Sequence, residues 1–326
     1  MKKLFYLNFT LFLLFNNLLA QEASINDWNV LYINAWDNPA LTGISNRQFR
    51  VQGDFDRQKA KNANWADKRI NTMLDASIRI RKDYIGIGLN YGQDAKGISK
   101  FGEHSLGADL AYHKSIGKKA IHYISIGGDF TYRQIGFGLN PSTSLFFDSQ
   151  YEPSFPNQYN PDPSFSNEVF SAANRNLFDI STGLWYQSKY GFLGISIKHI
   201  TAPTIQYLSG TASPEDAILY RKLNITGGYN FYLKKYTITP SFNINKQTGG
   251  FTWQANILTA YKSNYVFGTS IKNANRMSFI LGTYLFKHIR LNTGYTIPLK
   301  SDLKYFGNIF EAGLRFEFGK FKNEKK

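Results

Sequence analysis

The residues that could do chemistry are few and poorly spaced for it. The five histidines, His104, His113, His122, His199 and His288, are scattered, without the paired spacing that holds zinc. His122 and Tyr123 open a strand and read as turn or girdle residues. The chain has no cysteine, so it offers neither a disulfide framework nor a thiolate site. There is no Walker loop and no Gly-x-Ser-x-Gly elbow. Gly136-Phe137-Gly138 lacks the third glycine and the helix of a dinucleotide fold. Glu311 and Glu317 are paired carboxylates of the kind that could exchange protons. Arg315 lies between them at strand spacing, so they read as part of a charge row. Hence no catalytic residue, metal ligand or cofactor is expected, and the chain does not read as an enzyme.

Charged residues recur at strand spacing. Asp75 and Arg79, Asp109 and His113, Asp129 and Arg133, and Glu311, Arg315 and Glu317 each share one face of an alternating segment. The opposite faces are apolar. Ile85, Ile87, Leu89 and Tyr91 alternate with Gly86, Gly88 and Asn90; Leu193, Ile195 and Ile197 alternate with Gly194, Ser196 and Lys198. Leu223, Ile225, Tyr229 and Phe231 alternate with Asn224, Thr226, Gly228 and Asn230. A two-layer sandwich would have to bury such charges. A barrel turns them into a wet interior while the apolar row meets lipid. Asp129, Arg133, Glu311, Arg315 and Glu317 are therefore candidate lumenal charges. Strand glycines such as Gly107, Gly127, Gly128, Gly194, Gly227 and Gly228 read as relief of crowding or points of curvature.

Turn spacing sets the fold class. Short turns at Arg81-Lys82-Asp83, Gly117-Lys118-Lys119, Ser188-Lys189-Tyr190, Lys234-Lys235, Lys262-Ser263-Asn264 and Lys287-His288 alternate with usually longer ones. The longer ones lie near residues 56–68, 92–101, 136–175, 202–217, 246–250, 272–276 and 297–307. This is the pattern of short periplasmic turns and longer external loops. The segments predict an all-β fold, a transmembrane outer-membrane antiparallel β-barrel of about 14 strands. Tyr84, Tyr112, Tyr123, Trp185, Tyr190, Tyr229, Tyr236, Tyr261 and Tyr295 lie near segment ends and are expected in interfacial girdles. An aromatic content of 16% with negative mean hydropathy fits a greasy outside and a polar inside.

Four regions follow. Residues 1–20 read as a secretory signal peptide, with Lys2 and Lys3 before an apolar run and small Ala20 at the cut site. Residues 21–46 form a periplasmic N-terminal segment, 47–318 the barrel and 319–326 a basic tail. The chain carries 38 Lys+Arg against 23 Asp+Glu. With a leader and no nucleic-acid motif, the counter-charges are expected on outer-membrane lipids or acidic proteins, with no nucleic acid partner. Gly136–Arg175 is the longest loop. Its Phe146, Phe147, Tyr151, Phe155, Tyr159 and Phe165 make it a candidate partner-binding loop, too aromatic for a purely solvated coil. Pro240 interrupts a strand pattern as a strand end, a bulge or an opened seam. Asn38-Pro39-Ala40 with Gly43 reads locally as a turn that aims the chain into the wall.

Tyr32-Ile33-Asn34 followed by Asn38-Pro39-Ala40-Leu41-Thr42-Gly43 resembles the N-terminal signature of the PorP/SprF family, with Leu41 where an aromatic is usual. Gly183-Leu184-Trp185-Tyr186, Tyr190-Gly191-Phe192-Leu193-Gly194, Lys198-His199 and Thr239-Pro240-Ser241 are similar to further family segments. Phe310-Glu311 resembles the closing strand, with Phe310 where His is usual. Asn38, Pro39, Ala40 and Gly43 are the family motif. The resemblance implies a non-enzymatic outer-membrane protein associated with the type IX secretion system of Bacteroidetes. Its partners would be an exported protein bearing a type IX C-terminal sorting domain, such as a gliding adhesin, and other type IX components. A solute channel and a purely structural barrel are the competing expectations.

Overall fold

The structure is a computed structural model and describes residues 35–45, 47–59, 66–96, 101–117, 122–137, 174–204, 218–248, 250–285, 288–301, 303–304 and 307–319. A 3₁₀ turn at Pro39–Leu41 precedes the sheet. The first strands are β1 (Phe49–Lys59), β2 (Ala66–Ile80), β3 (Asp83–Lys96), β4 (Phe101–Ile116), β5 (His122–Phe137), β6 (Asn174–Gln187) and β7 (Gly191–Lys198). They are followed by β8 (Lys222–Tyr229), β9 (Phe231–Leu233), β10 (Tyr236–Gln247), β11 (Gly250–Tyr261), β12 (Tyr265–Lys272), β13 (Arg276–Leu285), β14 (Ile289–Pro298) and β15 (Ile309–Phe318). All pairings are antiparallel, and β1 pairs with both β2 and β15, so the sheet closes on itself. β8 and β9 share the partner β10 and are the two halves of one stave. The fifteen strands thus form 14 staves, the closed antiparallel barrel that the alternation predicts.

The division between β8 and β9 has a local cause in Pro240. It sits inside β10 opposite Ile257 of β11 and has no N–H for its other neighbour. The ladder with β8 stops at Gly228↔Ser241 and resumes with β9 at Phe231↔Ile238, in the same register. Thr239 Oγ1 donates to Asn230 Oδ1 at 2.8 Å across the gap. Of the readings open for Pro240, the opened seam is the one that forms.

Burial is inverted relative to a water-soluble protein. Leu110 is 61% exposed and Phe178 60%, while Arg50 is 2% and Asp179 0% exposed. Apolar rows face out and polar rows face in, as lipid requires. No helix among the described residues is long and apolar enough to cross a membrane; the crossing is made by strands. A strand of about 10 residues spans the hydrocarbon. β2 to β6 run to between 14 and 16 residues, whereas β12 has 8. The wall is therefore tallest at β4 and β5, with 16 residues each.

Two sets of expectations need correction. The connections near 246–250 and 272–276 are tight, since β10 ends at Gln247 with β11 starting at Gly250, and β12 ends at Lys272 with β13 starting at Arg276. In the second, Asn273 and Ala274 adopt φ of 48° and 53°, which closes the hairpin in three residues. Trp185, Tyr84 and Tyr123 do not belong to the outer girdle. Trp185 is in phase with inward Ser181 and Gly183 and is buried. Tyr84 is in phase with inward Gly86 and Asn90, and Tyr123 with inward Ser125, and their rings meet at 6.2 Å at the short-turn mouth. Tyr112, Tyr229, Tyr236 and Tyr295 do face outward and are exposed, whereas Tyr190 packs on Tyr232, which is in phase with inward Asn230.

Candidate functional site

The most elaborate site inside the barrel is built around Asn38-Pro39-Ala40. Asn38 Oδ1 accepts from the Ala40 N–H at 3.0 Å, capping the 3₁₀ turn. Pro39 follows at the first position of that turn, where its missing N–H costs nothing. Asn38 Nδ2 donates to the Leu184 carbonyl at 3.0 Å and to the Ile195 carbonyl at 3.2 Å. Those two residues are opposite one another in the β6–β7 ladder. One asparagine side chain thus shapes the turn and pins it to the wall. A plain turn reading of the tripeptide misses the second role.

The wall is cut to receive this segment. A Cβ on Gly183 would fall on Asn38 Oδ1, one on Gly127 on the Pro39 carbonyl, and one on Gly86 on the Thr42 carbonyl. Gly86 and Gly127 make room for backbone against backbone and Gly183 for the Asn38 side chain, so crowding relief at Gly127 has a specific occupant. Trp185 supplies the apolar floor, packing with Ala40 and Leu41 and stacking on Phe192 at 5.3 Å. Ser196 Oγ donates to the Asp37 carbonyl at 2.6 Å, and His113 Nε2 lies 2.8 Å from the Thr42 carbonyl. That proximity requires the tautomer in which Nε2 carries the proton. Residues 35–44 therefore run along the inner wall from β2 to β7. This is where the described part of the expected periplasmic segment lies.

Charge holds the other end. Asp75 Oδ2 accepts from the Gly43 N–H at 2.6 Å. The same carboxylate forms a buried, bidentate pair with Arg50, whose Nε donates to Oδ1 at 2.9 Å. Arg50 also donates to the carbonyls of Leu41 at 3.3 Å and Ile44 at 3.0 Å. Gly43 has φ of 78°, a left-handed position that favours glycine, and a Cβ there would strike Gly86. Arg50, Asp75, His113 and Ser196 were not singled out as site residues. Their signal was the polar phase of their strands, which marks them as inward without naming what they touch.

The candidate lumenal charges all lie on inward rows. Asp129 accepts from Thr131 Oγ1 at 2.6 Å and Asn90 Nδ2 at 3.3 Å, and Asn90 also donates to Asp109 at 2.9 Å. Arg133 pairs with Glu103 and with Asp179, the latter at 3.3 Å. Asp179 also meets His199 Nδ1 at 2.6 Å and Thr201 Oγ1 at 3.2 Å. Arg315 Nε donates to Gln52 at 3.0 Å and lies 3.7 Å from Glu317. Glu311 is buried opposite Asp56. Glu311 and Glu317 do not converge on one reacting point, and no group of three or more potential metal ligands forms among the described residues. Phe146, Phe147, Tyr151, Phe155, Tyr159 and Phe165 lie outside the described residues, as do the leader and the basic tail from residue 320.

Outward apolar rows, an inward polar lining and a closed 14-stave sheet define an outer-membrane β-barrel, here with a segment of its own chain on the inner wall. Residues 29–316 match the family described as type IX secretion system membrane protein PorP/SprF. The chain belongs to that family. Among proteins of curated function, none matches the sequence. Similar solved structures include the CymD monoaromatic hydrocarbon channel, with 10% identity, 86% of this chain and 91% of that one covered, and a TM-score of 0.48. A Pseudomonas aeruginosa FadL homologue gives 10% identity, 87% and 93% coverage and 0.45. The Pseudomonas putida toluene transporter TodX gives 12%, 86% and 91%, and 0.43. At these values the likeness carries no functional inference.

Proposed function

We propose that this protein is an outer-membrane anchor or docking partner for a protein exported by the type IX system, such as a surface adhesin. The observation that carries the proposal is the docking of residues 35–44 on the inner wall. A barrel that devotes its inward glycines, its Arg50–Asp75 pair and its Trp185 floor to holding its own chain uses its interior as scaffold. Inward residues on every side are buried, from Asp75 and Ser125 to Ser270 and Thr296. β5 and β6 pair continuously from Tyr123↔Gln187 to Gly136↔Asn174. The loop between them, with Phe146, Phe147, Tyr151, Phe155, Tyr159 and Phe165, would offer aromatic anchors to the cargo's sorting domain. Other secretion components would meet the periplasmic rim. Affinity purification of the tagged protein from solubilised membranes should recover an exported protein, and deletion should strip that protein from the cell surface. Recovery of the barrel alone, with normal surface display in the deletion strain, contradicts the proposal.

A solute channel is the second reading, and one observation favours it. The fully buried polar side chains of β8 to β14 are neutral amides and hydroxyls, including Asn224, Asn243, Asn256 and Ser270. Such a lining suits small polar solutes. Saturable uptake by proteoliposomes would support it, and uptake equal to that of empty vesicles would remove it.

A further inference from the structure

We propose that Asp109 and Asp129, with Asn90 and Thr131 beside them, form a site on the inner wall for a hard divalent cation of the calcium class. Asp109 of β4 stands directly opposite Asp129 of β5 in the ladder. Both lie on the inward rows of their strands, Asp109 in phase with buried Ala111 and Asp129 with buried Ser125 and Thr131. Like charges directly across a ladder repel, and a buried carboxylate needs a cation, a proton or a metal. Neither carboxylate has an ion-pair partner among the described residues. Arg133 pairs with Glu103 and Asp179, and His113 is engaged by Ser125 and the Thr42 carbonyl. Lys198 attracts Asp129 from β7 without forming an ion pair. One neutral amide is left to serve both carboxylates: Asn90 Nδ2 donates to Asp109 at 2.9 Å and to Asp129 at 3.3 Å.

Two orphaned oxygens point to a ligand. Asn90 is 4% and Asp109 5% exposed, and each keeps one buried oxygen, Oδ1, without a partner among the described residues. Buried polar atoms are rarely left so. Asn90 Oδ1 and Asp129 Oδ1 converge above Gly107, where a Cβ would stand 2.5 Å from the first and 2.7 Å from the second. Gly107 is in register with Asn90 on one side and Thr131 on the other, and a glycine there keeps the space between these oxygens clear. Thr131 Oγ1 lies 2.6 Å from Asp129 Oδ2. No third carboxylate or imidazole joins the group. The donors are therefore oxygens throughout, from two carboxylates, an amide and a hydroxyl, which suits calcium and not copper or zinc. Two negative charges match one divalent cation. The site also bears on the docked segment, because Asp109 Oδ2 and Thr42 Cγ2 both crowd the point where a Cβ on Gly88 would stand. A cation held there braces β3, β4 and β5 beneath the Thr42–Gly43 end.

The test uses the purified full-length barrel in detergent, stripped with a chelator and titrated with calcium chloride, with magnesium chloride and sodium chloride at matched ionic strength as controls. Calorimetry should show one calcium bound per chain. Thermal unfolding should shift upward by several degrees with calcium, and residues 35–45 should resist proteolysis better with calcium than without. Asp129→Asn should lose the binding and the shift. Its calcium-free form should unfold no earlier than the calcium-free wild type, because the repulsion across the ladder is gone. Asp109→Asn makes the same comparison if Asp129→Asn fails to fold. A wild type that binds no calcium overturns the proposal, as does binding that both substitutions leave intact. Stability that ignores calcium but rises as acid protonates carboxylates also overturns it, and makes the pair a shared-proton site.

Discussion

The two halves of the barrel use the same wall for different interiors. From β1 to β6 the buried inward row includes Arg50, Asp54, Asp56, Arg69, Asp75, Asp109, His113 and Asp179. From β8 to β14 the buried polar residues among those described are all neutral, among them Asn224, Thr226, Gln254, Asn256, Ser278 and Thr296. The Asn38–Gly43 segment lies against the first half and reaches β7 only at its edge. Ion pairs in a confined interior are costly to create, and breaking one leaves a stranded charge. Amide ladders such as Asn224 to Asn243 and Asn245 exchange partners with water at little net cost. The charged half therefore fixes a conformation, and the amide half tolerates exchange of its partners with water.

Substitutions should separate the halves by magnitude. Asp75→Ala leaves Arg50 buried without its carboxylate and Gly43 without its acceptor, and should cost about 3–5 kcal/mol in urea unfolding of the reconstituted barrel. Restoring size without charge, in Arg50→Met/Asp75→Leu, should recover part of that loss. Asn38→Ala removes the turn cap and two carbonyl contacts, and should cost about 1–3 kcal/mol. Gly183→Val drives a side chain into the place of Asn38, so limited proteolysis should cut at residues 35–45 in the variant and spare them in the wild type. Asn243→Ala, in the amide half, should cost at most about 1 kcal/mol and leave the proteolytic pattern unchanged. An Asn243 effect as large as that of Asp75 would erase the distinction.

Much of the barrel was legible because alternation and turn spacing are local. The inward phase of Asp129, Arg133 and Arg315 follows from period two alone. Trp185 departs from the girdle expectation for the opposite reason: an aromatic near a strand end looks the same on either face until its phase with Gly183 and Ser181 is counted. The docking of Asn38 could not be read locally, because its partners lie 146 and 157 residues away. The one available trace was a glycine on the polar phase of three separate strands, at Gly86, Gly127 and Gly183. Each alone suggests curvature; only the closed register brings them under one segment. The turns after β10 and β12 are tighter than expected, and Lys246–Gly250 and Lys272–Arg276 give no sign of it because they are polar throughout. Polarity does not distinguish a hairpin from a loop.

Planar-bilayer recording of the purified full-length protein, wild type beside Gly183→Val, tests most directly whether the charged half keeps the N-terminal segment docked and the interior closed. The account predicts no steady conductance for the wild type and stable open steps for the variant. Equal, stable conductance from both proteins would contradict it and make the interior a path.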